Sequence, residues 1–293
     1  MPQAQTAQII DGKAVAALVR SEVAQEVESY KHHYGRSPSL HVILVGDDPA
    51  SHVYVRNKEK AAREVGIQGV TLRLPASTNE TELIERVQRL GANWEVDGIL
   101  VQLPLPSHID EHRVLDRIAP AKDVDGLHPM NVGLLASGRP LLVPCTPQGC
   151  MRLIAHAGVE LKGLNAVVLG RSLLVGKPVA QLLLAQHATV TMAHSRTRDL
   201  GEICRNAHVL VAAVGKPRLV QGDWIRPGAV VIDVGTTRGD DGKLTGDVDF
   251  ETARLRAAAI TPVPGGVGPM TIAYLLKNTV QAARARMGER TVA

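Results

Sequence analysis

The chain has 293 residues, 45% of them hydrophobic, with 33 Lys and Arg against 29 Asp and Glu for a formal charge of +4. That length holds one large domain or two ordinary ones, and two is the preferred reading. One Phe, two Trp and four Tyr leave little aromatic surface for base stacking, and no block of lysine and arginine forms a tail or stripe, so nucleic acid is excluded as a partner and anionic small molecules suit the charge better.

No apolar run approaches the ~20 residues that span a bilayer, and Met1 to Ile10 lacks the positive region and apolar run of a targeting segment. Cys145, Cys150 and Cys204 are odd in number and lack metal-ligand spacing. They read as reduced thiols of a cytoplasmic protein, and no metal is expected.

Apolar residues at Val15, Leu18, Val19, Val23 and Val27 follow a helical period, so an amphipathic helix is expected from Asp11 to the Tyr34–Pro38 breaker. Strand 40–45, helix 49–65, strand 70–74, helix 79–91 and strand 97–101 then alternate, the pattern of a parallel doubly wound sheet. Pro49 suits the first turn of its helix. On that helix Tyr54 and Lys58, four residues apart, share a face, and a phenol and an amine aimed together at a strand end form a candidate catalytic pair; a solvated lysine beside a half-buried tyrosine is the plainer alternative. Gln102 follows strand 97–101, at the carboxyl end where such sheets bind ligands. Lys122-Asp123-Val124-Asp125-Gly126 is a loop with two acids, readable also as an ordinary Asx turn.

The Gly- and Pro-rich segment 136–149 reads as the connection between domains, and helix 147–157 as a bridge with Thr146 as its cap and Pro147 in its first turn. The alternation then restarts. Strand 165–169 runs into Gly170-Arg171-Ser172 and Val175-Gly176-Lys177-Pro178, then helix 178–186. A glycine-bearing turn between strand and helix lets backbone N–H groups and the positive helix end hold a pyrophosphate, although Ser172 stands where the second fingerprint glycine belongs. Strand 188–192 ends in His194-Ser195-Arg196-Thr197, with no acid to hold a ribose hydroxyl. Arginine and hydroxyls bind a 2′-phosphate by charge-assisted hydrogen bonds, so the residues favour NADP over NAD. Strands 207–212 and 229–234 lead to Val214-Gly215-Lys216 and Gly235-Thr236-Thr237, further turns able to line a nucleotide. Three prolines and three glycines between Pro262 and Pro269 are expected to be irregular, with a cis bond before Pro264, ahead of a last helix at 270–287 that packs back on the first domain.

Taken together, these stretches resemble the bifunctional methylenetetrahydrofolate dehydrogenase/methenyltetrahydrofolate cyclohydrolase family. The likeness is carried by Val45-Gly46 with Ala50-Ser51 and Tyr54-Val55-x-x-Lys58, Gly98 to Pro106, and Lys122 to Gly126. The second half adds Pro144-Cys145-Thr146-Pro147, Gly170-Arg171-Ser172 with Val175 to Pro178, Gly246-Asp247-Val248-Asp249, and Pro262 to Thr271. One departure is Thr236-Thr237, where relatives commonly carry Ile followed by Asn or Thr.

The resemblance implies an α/β fold of two domains around a cleft, the second a Rossmann-type dinucleotide-binding domain: 1–143 with 270–293 for folate, and 144–269 for NADP. It implies a homodimer, catalytic roles for Lys58, Tyr54, Gln102 and Asp125, and folate contacts at those four with Leu103, Gly266 and Pro269. Cofactor contacts fall at Gly170, Arg171, Ser172, Gly176, Ser195, Arg196 and Thr236. The implied activity is oxidation of 5,10-methylenetetrahydrofolate with NADP, then hydrolysis of the methenyl product to 10-formyltetrahydrofolate. Hydride transfer needs positioning, whereas hydrolysis needs a general base. Lys58 can serve as that base only when neutral, which near pH 7 requires its surroundings to disfavour the charged form by about 4 kcal/mol. Asp125 would work against that if it touched the ammonium, so it is expected on the pterin, with the neutral Gln102 on Lys58. Two other readings are an NADP-binding sensor and a dehydrogenase of another small substrate.

Overall fold

A computed structural model describes residues 6–239 and 242–289; the outer limits of the first expected domain, residues 1 and 293, lie outside the described residues. The chain opens with a two-residue strand, β1 (Gln8–Ile9), and a long helix, α1 (Gly12–Tyr34). Asp11 caps that helix by accepting the Lys13 and Ala14 N–H groups. Val15, Val19, Val23, Val27 and Tyr30 form its buried stripe. Leu18, expected there, is 53% exposed instead, because it sits one residue, about 100° of rotation, from the row that steps by four.

Strand β2 (Ser39–Val45), α2 (Pro49–Glu64), β3 (Gln68–Leu74), α3 (Glu80–Ala92) and β4 (Gly98–Val101) follow. All three strands are parallel, in the order β3-β2-β4. β2 is the middle strand and nearly all apolar, as a strand covered on both faces must be; Ile43, Val45, Ile99 and Val101 pack with Leu83 and Val87 of α3. Asp48 caps α2 by accepting the Ser51 N–H at 2.7 Å, with Pro49 in the first turn. Short helices α4 (Glu111–Leu115) and α5 (Pro129–Ala136) complete this half.

Helix α6 (Cys145–His156) starts one residue before the expected cap. Thr146 therefore lies inside its first turn, and the Thr146 hydroxyl meets the Thr271 hydroxyl at 2.8 Å. Next come β5 (Asn165–Leu169), α7 (Gly176–Ala185), β6 (Thr189–Ala193), α8 (Leu200–Arg205), β7 (Val209–Ala212) and β8 (Val230–Asp233). A small antiparallel pair, β9 (Thr237–Arg238) with β10 (Leu244–Thr245), precedes α9 (Phe250–Ala253), β11 (Ala259–Ile260) and α10 (Val267–Arg286). The main sheet has the order β1-β11-β8-β7-β5-β6, every pairing parallel. The Val263–Pro264 bond is cis, as is Leu103–Pro104. Only part of the Pro262–Pro269 stretch is irregular: Val267, Gly268 and Pro269 are already the first turn of α10, where proline costs no hydrogen bond.

The chain divides into two compact units. One comprises Leu18–Cys145 and the chain from Ile272 on; the other comprises the chain through Ala17 and Thr146–Thr271. In the first, Arg284 of α10 donates to the Glu26 carbonyl of α1. In the second, the amino-terminal residues join through β1, which lies beside β11. Among the described residues no helix is long and apolar enough to cross a membrane.

Candidate active site

In the Leu18–Cys145 unit the carboxyl ends of the parallel strands collect the reactive side chains. The turn after β2 launches α2, which carries Tyr54 and Lys58 one turn apart. Gln102 is the residue after β4, its N–H held by the Ile43 carbonyl at 2.9 Å. The amine and the amide meet: Lys58 Nζ donates to Gln102 Oε1 at 2.9 Å, and Gln102 Nε2 donates to the Leu103 carbonyl at 2.6 Å. This second bond fixes which way the amide faces, so its oxygen is the one presented to the amine. Tyr54 remains half exposed and free to meet a ligand.

The Lys122–Gly126 loop divides its charges between anchoring and reactivity. Asp123 pairs with Ile99 in an isolated parallel bridge, which carries Asp125 on toward the same sheet edge. The buried Lys122 ammonium donates to the Leu90, Gly91 and Asn93 carbonyls, closing the end of α3, and burial pushes its pKa down to about 8. Asp123 accepts the His128 N–H and the Asn131 side-chain amide, and burial pushes it up to about 6. It is the acid that forms the ordinary turn.

Asp125 is not used that way. Desolvation raises its pKa, against the pull of Lys58 and a hydrogen bond from Cys145. Lys58 is shifted in the complementary direction, lowered by desolvation against the opposing field of Asp125. Both groups move toward their neutral forms, so desolvation outweighs their mutual attraction. Among the described residues no ion pair within 4.0 Å joins them.

Cys145, read from sequence as one thiol among three, belongs to this group. Its Sγ lies 3.3 Å from the Val124 carbonyl, and the Asn278 amide of α10 donates to the Val124 and Val143 carbonyls at 2.8 Å each. One buried carboxamide thus ties together the backbone beside Asp125 and the backbone beside Cys145. The Pro-Cys-Thr-Pro stretch was the available signal, but it reads as a linker until the fold closes.

The Thr146–Thr271 unit has a separate cavity of about 370 Å³ at the carboxyl ends of β5, β6 and β7. Gly170, Arg171, Ser172 and Ser195 line it, as the sequence led us to expect. Val214 and Lys216 also line it, from the turn already noted, together with Leu200 and Leu219, which carry no motif. Gly170 adopts φ +118°, and a Cβ there or at Gly176 would collide with neighbouring backbone. Ser172 Oγ accepts the Val175 and Gly176 N–H groups at 3.1 and 3.3 Å, which shapes the start of α7. Gly176, Arg196 and Thr236 are not among the lining residues: Gly176 backs the turn, Arg196 follows Ser195 with its N–H on His194 Nδ1, and Thr236 is exposed. Gly266 and Pro269 lie in this same unit; a Cβ at Gly12 would collide with the Gly266 carbonyl, and one at Gly266 with Pro262 and Thr261. Among the described residues no cluster of His, Cys, Asp or Glu could hold a metal ion.

A backbone turn without room for side chains, flanked by cationic Arg171 and Lys216 and floored by Leu200 and Leu219, fits a dinucleotide phosphate with an adjoining apolar base.

Comparison with known proteins agrees with both halves. Residues 10–125 match the family described as tetrahydrofolate dehydrogenase/cyclohydrolase, catalytic domain, and residues 144–287 match its NAD(P)-binding domain. The bifunctional protein FolD of Sorangium cellulosum is 62% identical over 97% of this chain and 99% of its own length. That of Moorella thermoacetica is 60% identical over 95% and 99%. A solved bifunctional methylenetetrahydrofolate dehydrogenase/cyclohydrolase from Campylobacter jejuni superposes with a TM-score of 0.93 at 44% identity, covering 95% of this chain and 99% of that one. The Trypanosoma brucei enzyme, solved with NADP and an inhibitor, gives 0.91 at 45% identity, covering 97% and 99%.

Proposed function

The chain belongs to the tetrahydrofolate dehydrogenase/cyclohydrolase family, and from that premise we propose how its own residues divide the chemistry. It oxidises 5,10-methylenetetrahydrofolate to the methenyl form with NADP and hydrolyses that product to 10-formyltetrahydrofolate. We assign the folate to the unit built on β3-β2-β4 and the nucleotide to the unit with the six-stranded sheet.

NADP supplies the acceptor for the hydride. Arg171 and Lys216 would hold its phosphates with the Gly170 turn, and Ser172 shapes that turn. Ser195, which lines the cavity, and Arg196, the next residue along the chain, would meet the 2′-phosphate. Removing the Arg196 charge deletes a charge-assisted bond of about 1.5–3 kcal/mol. Arg196→Ala is therefore expected to lower the NADP-over-NAD ratio of kcat/KM by about tenfold or more. A ratio within about twofold of the parent would remove Arg196 from the phosphate site.

In the folate unit Lys58 is the general base. The observation that carries this is its 2.9 Å bond to the neutral Gln102 amide, with no ion pair to Asp125. A neutral amine still donates one N–H to Gln102 and keeps its lone pair for water. Water attacks the methenyl carbon and one of its protons passes to Lys58 Nζ; the C–N5 bond then breaks as the new hydroxyl gives up its remaining proton and N5 takes up a proton, which leaves the formyl group on N10. Asp125 accepts pterin N–H groups, Leu103 borders the substrate, and Tyr54 restrains its ring. Purified protein given methylenetetrahydrofolate and NADP tests the whole reading: near-ultraviolet absorbance of the methenyl species should rise and then decay. No rise with either NADP or NAD would end it.

We also read the protein as a cytoplasmic homodimer paired through the nucleotide unit. The three cysteines are free and buried; edge strand β6 leaves Met192 exposed, and α7 leaves Leu184 exposed.

A further inference from the structure

Two buried carboxylates in the nucleotide unit do not line its cavity, yet they govern the turns that form it. Asp233 is the last residue of β8, and Asp247 lies in the Gly-Asp-Val-Asp stretch that sequence analysis noted only as a family likeness. Asp247 accepts the N–H groups of Val214, Gly215 and Lys216 at 2.6, 3.0 and 2.8 Å. Asp233 accepts those of Gly235, Asp247 and Val248 at 2.9, 2.9 and 3.0 Å. A Cβ at Gly246 would collide with the Asp233 carboxylate, and one at Gly235 with Asp247, so both glycines are needed for the pair to close.

Three successive N–H groups converging on one point form an anion-binding nest. Here the nest is filled from inside the protein. Val214 and Lys216 consequently offer side chains, not amides, to the cavity they line. The pair also joins the turn after β7 to the turn after β8, because the Asp247 N–H and the Gly235 N–H share Asp233 Oδ1.

We propose that Asp247, braced by Asp233, is a positioning residue for the nucleotide: it holds the Val214–Lys216 turn so that Lys216 and Val214 face the cofactor. This rests on the cavity being the NADP site. The second activity of the same chain, which uses no nucleotide, supplies the internal control for folding.

Asp247→Asn replaces one of the two acceptor oxygens by an NH2 donor, so one or two of the three N–H groups lose their acceptor and the turn should be released. The expected result is a rise of about tenfold or more in both the KM and the Kd for NADP, with dehydrogenase kcat at saturating NADP changed by less than about threefold, cyclohydrolase kcat/KM within about twofold, and a thermal midpoint that stays well above the assay temperature. Asp247→Glu, which keeps the charge, should recover part of the lost affinity. Asp249→Asn, two residues away, should match the parent. Unchanged NADP affinity in Asp247→Asn, or a parallel fall of both activities with the thermal midpoint, overturns the proposal, as does Asp247→Glu binding NADP less tightly than Asp247→Asn. Parent protein that bound no NADP would instead overturn the cavity assignment beneath it.

Discussion

Lys58→Met is expected to lower cyclohydrolase turnover by about 10²–10⁴-fold, the span a positioned general base contributes, while dehydrogenase turnover falls by less than about tenfold. The methionine stem keeps much of the packing and removes only the basic nitrogen. Folding should not suffer. Desolvation lowers the Lys58 pKa in the folded chain, so between that lowered value and the ordinary 10.5 the unfolded chain holds more protons, and stability rises with pH across the window. At neutral pH the buried amine is thus a cost that Met removes. A thermal midpoint equal to or above the parent's, with hydrolysis lost and hydride transfer retained, is the expected signature.

The pH profile separates a base from a positioning group. Neutral amine is the active form, so the hydrolysis rate should climb as pH rises through the lowered Lys58 value, and the cationic methenyl substrate lowers that value further. In Lys58→Arg the charge remains at every accessible pH. Hydrolysis should then be slow throughout, and the rising limb should vanish. Equal losses of both activities in Lys58→Met, or a rising limb that persists in Lys58→Arg, would show that Lys58 only places the substrate.

Much of this site was legible because its parts lie where periodicity and the strand-end rule meet. Tyr54 and Lys58 are one helical turn apart, and Gln102 directly follows an apolar strand, so the topology alone sends them to one sheet edge. The two acids of the Lys122–Gly126 loop could not be told apart, since their difference is a matter of partners: Asp123 takes two hydrogen bonds from the start of α5, and Asp125 takes none there. Cys145 and Asn278 depend on contacts across 21 and 154 residues of chain, which no local pattern encodes. Strands β1 and β11 have two residues each, too few for an alternation to register. The nucleotide cavity divided the same way. Its glycines were readable from conformational need, whereas Leu200 and Leu219 look like any other core-facing leucine until the surrounding turns are placed.

Asp97→Ala is the substitution expected to harm stability most, by about 3 kcal/mol or more, although it touches neither substrate nor cofactor. The Asp97 carboxylate is fully buried and accepts both Arg36 terminal nitrogens at 2.7 Å, Arg286 at 2.6 Å and the Ser39 N–H at 2.9 Å. Truncation leaves two guanidinium groups crowded together with no counter-charge and a buried amide with no acceptor. Because the two arginine side chains keep 22% and 20% of their surface in water, part of that penalty is relieved, which places the cost toward the low end of the ~3–5 kcal/mol for breaking a buried pair. Asp97 stands just before β4, whose far end delivers Gln102, and it joins that strand to Ser39 of β2, to Arg36 beyond α1 and to α10. Cyclohydrolase activity should therefore disappear at a lower urea concentration in step with unfolding, while activity without denaturant remains near that of the parent. Arg36→Ala, which leaves Arg286 in place, should cost less than Asp97→Ala. A urea midpoint for Asp97→Ala corresponding to less than about 0.5 kcal/mol of destabilisation, the scatter of ordinary surface changes, would mean that these four strand and helix ends hold together without it.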